Sequence, residues 1–337
     1  MIEQPYKSIH FDWISESGDK VRTYLPDDFT ESGWISYPIP PETGCGGYEL
    51  LDLALGTTLV RSTITFAPKM LGKWSPPLDV NAEFKETTFQ AMTVRGIRGN
   101  VTEKLPPIQV AISEGIDLFR LTDHYISTFT ADATFSGEAF HMSIGQSTLN
   151  KLIGENVAES LLKRLNLSHA PSAVVRPIPL HVSQHMINAT AHALTGEAKK
   201  LFSQAKALEY LSALIHHVCS DTEPTPDHSH QSRQRVQSLR DQLLHNEGKL
   251  PRLEEIAEQY GRSAKHLNEE FQAEYGQTIY AFVFDQRLQQ AHSTLENSLV
   301  PIKSIAAALG YSHTSNFSIA FRRKFGYPPG SLRKNRS

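Results

Sequence analysis

Apolar and polar residues alternate over much of the first 145 residues, as they do in half-buried β-strands. In segment 57–66 the alternation places Val60, Ile64 and Phe66 on one face of a strand. Gly and Pro punctuate further predicted strands at 108–112, 117–121 and 125–130. Many short strands with such turns predict a β-rich domain, sandwich-like or barrel-like, over residues 1–146.

The apolar period lengthens to about 3.6 residues near Ser147, which predicts helices instead of strands. One helix is expected to end near Asn166, and two more, at 180–194 and 197–219, would form a helical hairpin after a proline-containing stretch. Region 147–220 is therefore a candidate dimerisation or relay segment. An apolar stripe on its last helix either packs within the chain or forms a dimer seam: Leu201, Phe202, Ala205, Leu208, Leu211, Ile215 and Val218.

Residues 221–230, DTEPTPDHSH, contain two prolines and no large apolar side chain. Such a segment cannot pack a core and is typical of an interdomain linker. The sequence thus predicts a separate all-α domain over 231–337, and an α+β chain as a whole.

An internal repeat organises this last domain. Leu253, Ile256, Ala257 and Gly261 recur 49 residues later as Ile302, Ile305, Ala306 and Gly310, and Leu267 and Phe271 recur 50 residues later as Phe317 and Phe321. Each copy predicts a short helix, a glycine turn and a second helix begun by a capping Ser, which is a helix-turn-helix. The sequence therefore predicts two such units.

A predicted helix over 278–296 separates the two units. It would be about 28 Å long at 1.5 Å per residue, close to the roughly 34 Å between successive major-groove faces of B-DNA. Two recognition helices could therefore enter one side of a duplex.

The outward face of each second helix supplies the candidate DNA contacts, because Lys, Asn, Ser and Thr can bond base edges in a major groove. Ile319 lies on the same face of the second unit. The carboxylate of Glu269 would accept a hydrogen bond from cytosine N4 but repel phosphate. We therefore expect the second unit to make more of the DNA contacts. The candidates are Lys265, Asn268, Glu269, His313, Thr314, Ser315, Ser318, Arg322, Arg323 and Lys324.

The net charge of −3 hides an uneven distribution. Residues 1–250 hold 22 basic and 28 acidic residues, whereas residues 251–337 hold 11 and 8. From Asn297 onward there are seven basic residues and no acidic one. A surface that faces phosphates would have this sign.

Residues 233–334 resemble the AraC/XylS family of transcription regulators. The resemblance rests on IAEQYGRSAKHLNEEFQAEYG, RLQQAHSTLE and IKSIAAALGYSHTSNFSIAFRRKFGYPPGSLR. It implies a DNA-binding activator that responds to a small-molecule effector and works with RNA polymerase on double-stranded DNA, typically as a homodimer. Segment 186–214, with its KALEYL, resembles the subgroup typified by the pyochelin regulator, which implies a ferric siderophore as effector.

Arginine forks and a tryptophan face could hold an anionic or aromatic effector in the first domain; the candidates are Arg61, Trp74, Arg95, Arg98 and Arg120. On a helix, His181, His185 and His192 would point in similar directions and could face a metal, but an exposed face is the commoner outcome. We predict no metal site and no cofactor.

An enzyme fused to a DNA-binding head, either a metalloenzyme or a repair protein, is the alternative. Cys45 and Cys219 are too few for the zinc-bound cysteine cluster that the repair version needs, and no motif or spacing nominates a catalytic group. The N-terminus lacks a signal-peptide layout and no apolar run approaches a membrane span. The sequence therefore predicts a non-enzymatic, cytoplasmic protein without a membrane segment.

Overall fold

The computed structural model describes residues 5–14, 20–24, 34–36, 39, 43–134, 136–190, 194–219, 230–245, 248, 250–297, 300–311, 313–325 and 327–334. The chain forms two compact units, residues 1–221 and 222–337. Most of the segment predicted to be a linker, 221–229, lies outside the described residues.

The first unit is built on one antiparallel β-sheet. Its strands are β1 (Tyr6–Ile14), β2 (Lys20–Tyr24), β3 (Trp34–Ser36), β4 (Gly44–Leu53), β5 (Thr57–Phe66), β6 (Leu78–Arg95), β7 (Gly99–Lys104), β8 (Pro107–Ile112), β9 (Ile116–Ala131), β10 (Gly137–Gly145) and β11 (Ser172–Pro177).

This sheet has two halves, and two long strands, β6 and β9, run through both of them. They pair with each other along most of their length, with a register shift between Glu83 and Thr88. On one side of the shift, β6 pairs with β1 and β9 pairs with β7; on the other, β6 pairs with β10 and β9 pairs with β11. The two halves are thus continuous in hydrogen bonding, and both line one apolar interior.

The strand predictions succeed where alternation is regular. Strand β5 covers the predicted residues 57–66, and Val60, Ile64 and Phe66 are buried on one face. The segments predicted separately at 117–121 and 125–130 are wrong as two strands, because β9 continues through them. Strand β6 was not predicted, since its second half is buried almost without interruption and shows no alternation.

Helices α1 (Gln146–Ile153), α2 (Glu155–Arg164), α3 (Leu180–Thr190) and α4 (Gly196–Cys219) complete the first unit. The single helix predicted from Ser147 to Asn166 is wrong, because Gly154 has φ +85° and separates α1 from α2. The proline-containing stretch after α2 contains strand β11. The predicted helical region therefore returns to the sheet and packs against it.

The apolar stripe predicted on α4 is only partly buried. Leu211 is buried and Ile215 is half-buried, but Leu201 is 74% exposed and Leu208 is also exposed. The buried face turns instead through Ala207, Tyr210 and Leu214. Part of the stripe thus remains at the surface of the first unit.

The second unit consists of helices in its described residues: α5 (His230–His245), α6 (Leu253–Gln259), α7 (Ala264–Tyr275), α8 (Ile279–Asn297), α9 (Ile302–Ala308), α10 (Thr314–Phe325) and α11 (Ser331–Lys334). We call α6 with α7 the first helix pair, and α9 with α10 the second helix pair. Helix α8 joins them and lies within one residue of the span predicted for it.

The duplication visible in the sequence is reproduced in the backbone. Helix α6 ends with Gly261 N–H bonded to Glu258 O and Arg262 N–H bonded to Ala257 O; helix α9 ends with the same two bonds at Gly310 and Tyr311. This is the Schellman arrangement, which needs a residue in the left-handed region at the glycine. Gly261 and Gly310 have φ +62° and +83°, so both predicted turns are confirmed.

The same repeat fixes the core. Ala257 and Ala306 are buried at equivalent positions of the two helix pairs, and Leu267 and Phe271 match the fully buried Phe317 and Phe321. Phe271 and Tyr275 pack against Phe282 near the start of α8, while the second helix pair packs on Leu288, Ala291 and Leu295 further along it.

Cys45 is exposed and Cys219 half-buried, and neither forms a disulfide. Among the helices that the structure describes, none is long and apolar enough to cross a membrane.

Replacing Gly261 with Ala tests the turn of the first helix pair. Nothing lies within 4 Å of the added Cβ, so the destabilisation comes from the left-handed backbone alone and should be about 1–2 kcal/mol of unfolding free energy. Denaturant unfolding followed by helical circular dichroism measures it. Tryptophan fluorescence is the internal reference, because Trp13, Trp34 and Trp74 all belong to the first unit.

Gly330→Ala is the matched control, since its Cβ also meets open space and its φ is not positive. Equal destabilisation by the two substitutions would mean that the turn geometry is not the cause.

Candidate nucleic-acid interface and ligand pocket

Helix α7 presents a mixed, partly acidic outer face. Its N-cap Ser263 accepts a hydrogen bond from His266 N–H at 3.2 Å, which confirms the predicted capping serine. Lys265 and Glu269 are exposed, with Nζ and Oε1 3.8 Å apart. A lysine that is paired with a carboxylate on the same helix binds a phosphate more weakly than an unpaired lysine does.

Asn268 was predicted to lie on the outward face of α7, but its side chain is bound within the second unit. Its Oδ1 accepts a hydrogen bond from Ile279 N–H at 3.0 Å, at the first turn of α8. The first amides of a helix lack intrahelical partners, so Asn268 joins α7 to the start of α8.

A buried carboxylate fixes α7 to α5. Glu270 is almost fully buried, and Arg235 of α5 donates to both of its oxygens at 2.6 and 2.7 Å. His266 and Arg262 approach the same carboxylate at 3.3 and 3.7 Å. The repeat pattern did not identify this cluster, because Ala320 occupies the corresponding place in the second helix pair.

Helix α10 has a more open and more basic outer face. His313, Ser315, Arg322 and Arg323 are exposed, as predicted for DNA-facing residues, and Thr314 is half-buried. Ser318 is half-buried, and its Oγ donates to Thr314 O at 2.9 Å. Both lone pairs of that hydroxyl remain able to accept from a base edge. Ser312, the serine that precedes this helix, lies outside the described residues.

Lys324 does not belong to this open face. Its Nζ lies 2.7 Å from Asp285 Oδ1 and donates to Asp285 O at 2.7 Å, which ties α10 to α8. Burial lowers the pKa of Lys324, and the interaction with Asp285 opposes that effect. The prediction of Lys324 as a DNA contact is therefore replaced by a structural role.

A pocket that is partly open to solvent lies inside the first unit. One wall is formed by Ile9, Phe11 and Trp13 of β1, and Tyr125 and Phe129 of β9 face the same space. Strands β5, β6 and β10 supply further residues of the lining. The pocket is therefore enclosed by both halves of the sheet and is mainly apolar.

Arg120 is the one cation among the residues that line this pocket, and it is 3% exposed. Its Nη2 lies 2.6 Å from Glu103 Oε1, and its Nη1 donates to Gln90 Oε1 at 2.5 Å. Ser127 donates to the second oxygen of Glu103 at 2.7 Å. The positive charge of Arg120 is therefore already balanced by a buried carboxylate.

Other polar groups of the pocket are neutral. Burial lowers the pKa of His141 to about 3, and the nearby charge of Arg120 adds to the effect. Burial raises the pKa of Tyr6 and of Tyr125. The pocket thus offers hydrogen-bonding groups without an unbalanced charge at neutral pH.

The structure does not bring the other four predicted effector residues to this pocket. Arg61 and Arg95 both bind Glu138 on β10. Burial alone would raise the pKa of Glu138, but the two guanidinium groups outweigh it and lower the pKa. Trp74 is 57% exposed, and Arg98 is exposed.

The three histidines considered for a metal do not form one cluster among the described residues. His181 is exposed on α3, and His185 Nδ1 lies 2.9 Å from Glu209 Oε2 of α4. His192 lies outside the described residues. Within the described part of the chain, no group of three or more His, Cys, Asp or Glu residues could hold a metal ion.

Comparison with known proteins places similarity in the second unit. Residues 256–335 match the helix-turn-helix domain family. The chain is 31% identical over 81 residues to the HTH-type transcriptional activator RhaS of Escherichia coli, covering 24% of this chain and 29% of that protein. It is 30% identical over 103 residues to the HTH-type transcriptional regulator ExsA of Pseudomonas aeruginosa, covering 31% and 36%. The chain therefore spans about a third of the length of these relatives.

A solved structure of an AraC-type transcriptional regulator from Chromobacterium violaceum is 23% identical and covers 32% of this chain and 97% of that one. The TM-score of this match is 0.30. The matches to the domain family and to the two regulators support the AraC/XylS resemblance of the last third of the sequence. Residues 256–335 of this chain carry a helix-turn-helix domain similar to those of HTH-type transcriptional regulators.

Proposed function

We propose that this chain is a ligand-responsive transcription regulator that binds double-stranded DNA through both helix pairs, each acting as a helix-turn-helix unit. The observation that carries the proposal is the duplication. Two helix pairs with the same Schellman turn and equivalent buried residues lie in a region similar to HTH-type regulators.

The spacing of the two pairs supports reading by one protomer. Helix α8 has 19 residues, or about 28 Å at 1.5 Å per residue. Both pairs pack on this helix, which limits their relative movement. Successive major-groove faces of B-DNA are roughly 34 Å apart, so the span suits two adjacent grooves.

The two units contribute differently to the proposed interface. In the second, Arg322 and Arg323 are exposed on the same helix as Ser315, and neither arginine has an acidic neighbour on α10. In the first, Lys265 faces Glu269. We therefore assign most of the phosphate attraction to the second helix pair.

The double substitution Arg322→Ala/Arg323→Ala should weaken binding to a mixed-sequence duplex. It should also lower the slope of log Kd against log salt by up to about 2, because each arginine that no longer neutralises a phosphate reduces the slope by roughly one. Fluorescence anisotropy from 50 to 300 mM salt measures both quantities. Lys163→Ala/Arg164→Ala is the matched control, because this pair is also basic, adjacent, helical and exposed but lies in the first unit.

Lys324→Ala provides a second contrast. It should lower the stability of the second unit because the Asp285 interaction is removed, while the salt slope stays unchanged. An unchanged slope in the Arg322/Arg323 variant, or an equal fall in the Lys163/Arg164 variant, contradicts the assignment.

The effector site that we propose is the pocket between the two halves of the sheet. Of the five residues predicted for effector binding, only Arg120 lines it. Glu103 already balances that charge. A carboxylate ligand would either have to displace Glu103 from Arg120 or be repelled by it, in a site shielded from water. The pocket therefore favours an uncharged, largely apolar effector that forms one or a few hydrogen bonds.

Two dyes with the same aryl skeleton test this charge preference. Neutral N-phenyl-1-naphthylamine should bind at least about tenfold more tightly than 1-anilinonaphthalene-8-sulfonate, since a tenfold ratio is 1.4 kcal/mol and burying an unpaired charge costs more. Dye fluorescence gives both affinities.

Ser62→Leu, on the pocket wall, should reduce binding of the neutral dye. Thr65→Leu, three residues along the same strand, is exposed and absent from the lining, so it should not. Equal dye affinities would overturn the charge argument, and equal effects of the two leucines would overturn the site. The ferric siderophore implied by the resemblance of 186–214 is a separate hypothesis, which titration of pocket tryptophan fluorescence with ferric pyochelin tests.

We also propose that the chain forms a homodimer through the exposed part of the α4 stripe. Leu208 lines a groove together with Leu152, Ile153 and Ile215, and Leu201 is exposed on the same helix. Contiguous exposed apolar residues of this kind mark contact surfaces, and a two-fold dimer would bury the same patch on both copies.

Leu208→Glu should convert the dimer into a monomer, with the molar mass measured by light scattering falling by half at micromolar concentration. Leu105→Glu is the control, because Leu105 is similarly exposed but lies in the turn between β7 and β8. A wild-type protein that is monomeric at these concentrations would contradict the proposal.

Activation through RNA polymerase follows from the family resemblance. In vitro transcription by RNA polymerase from a duplex that the protein selects, compared with and without the protein, shows whether the protein activates or represses. That the chain is cytoplasmic and has no enzymatic activity remain predictions.

A further inference from the structure

Ile319 lies at the centre of the outward face of α10 and is 67% exposed. The buried Phe317 and Phe321 are two positions before and after it, and residues two apart on a helix point in very different directions. Ile319 therefore points directly away from the core of the second unit. An aliphatic side chain this exposed gains nothing from the fold.

Polar and cationic side chains surround it. Ser315 and Asn316 lie four and three positions before Ile319, Arg322 and Arg323 three and four positions after it, and all four are exposed. Residues at these spacings are neighbours on a helix surface. Ile319 is thus a single apolar group inside a rim that is suited to phosphates and base edges.

This arrangement fits a duplex better than a protein partner. Within α10, Ile319 is the only large hydrophobic residue that is exposed, whereas the centre of a protein interface is a cluster of apolar groups. In the major groove, the apolar group on a base edge is the C5-methyl of thymine. A lone isoleucine among hydrogen-bonding and cationic groups has the pattern required to contact it.

The internal repeat supplies an independent comparison. The offset of 50 residues that aligns Phe271 with Phe321 also aligns Glu269 with Ile319. Both side chains are exposed at this shared position. A carboxylate accepts from cytosine N4, whereas an aliphatic group contacts thymine. The two units therefore differ in chemistry at the most outward position of their second helices.

We propose that Ile319 is a specificity residue that contacts the methyl group of one thymine in the major groove. This inference rests on the proposed DNA binding, and it adds a base identity that the similarity to other regulators does not supply.

Deoxyuridine provides the test, because replacing thymine with it removes only the methyl group. A duplex is first selected from a random pool with the full chain, and each thymine of the selected site is then replaced in turn. For the wild type, one replacement should weaken binding about fourfold, the factor corresponding to burial of one methyl group at about 0.8 kcal/mol. Ile319→Ala should bind the thymine duplex more weakly by a similar factor and should not respond to that replacement.

Two controls separate this effect from a general decrease in affinity. Glu269→Ala should keep the wild-type response to the same deoxyuridine, and so should Leu71→Ala, which removes a similarly exposed aliphatic side chain from the first unit. Helical circular dichroism should be unchanged in all three variants, because none of these side chains is buried.

The outcomes distinguish the two proposals. If no duplex is selected or bound, the DNA-binding function itself fails. If a duplex is bound but no thymine responds to removal of its methyl group, or if Ile319→Ala keeps the full response, the assignment of Ile319 is wrong while the proposed function stands.

Discussion

Packing against helix α8 is the constraint on which the whole second unit depends. Phe282 holds the first helix pair by aromatic contacts, and Leu288, Ala291 and Leu295 hold the second. Three polar contacts reinforce this packing: Asn268 to the Ile279 amide, Lys324 to Asp285, and Arg287 to the carbonyl of Leu309. Because each contact joins a different point of α8 to a helix pair, the position of each pair along the rod is fixed.

The first unit depends on a buried ion pair, whereas the second unit depends mainly on packing against α8. Arg120 lies on β9 on one side of the register shift, Glu103 lies on β7, which pairs with β9 on the other side, and both residues are almost fully removed from water. Truncating one partner would leave an unpaired buried charge, which typically costs 3–5 kcal/mol. The same pair sets the electrostatic character of the pocket, so the stability of the first unit and the ligand preference proposed for its pocket share one origin.

The elements that the sequence predicted well are those in which local pattern and tertiary role coincide. The positions of Gly261 and Gly310, the burial of Phe317 and Phe321, and the bounds of α8 all follow from a repeat whose copies obey the same packing rules. Strand β5 was predicted equally well because Val60, Ile64 and Phe66, spaced at even intervals, are buried on one face.

The failures have physical causes. Lys324 and Asn268 occupy positions that a helical wheel makes outward-facing, but each finds a partner on α8, which no periodicity within its own helix can reveal. Arg61 and Arg95 converge on Glu138 only because β5 and β6 flank β10 in the sheet. Pairings between strands distant in sequence decide which cation stays available, and composition does not encode them.

The inequality of Glu269 and Ile319 has a consequence for orientation. In the proposed complex, two second helices with the same residue at this position would prefer the same base in both grooves. Helix α7 carries an acidic residue at this position and helix α10 an aliphatic one. A single protomer would therefore prefer different bases at the two ends of its site and so distinguish upstream from downstream. The polarity of a promoter could then be sensed by one chain without a second copy to break the symmetry.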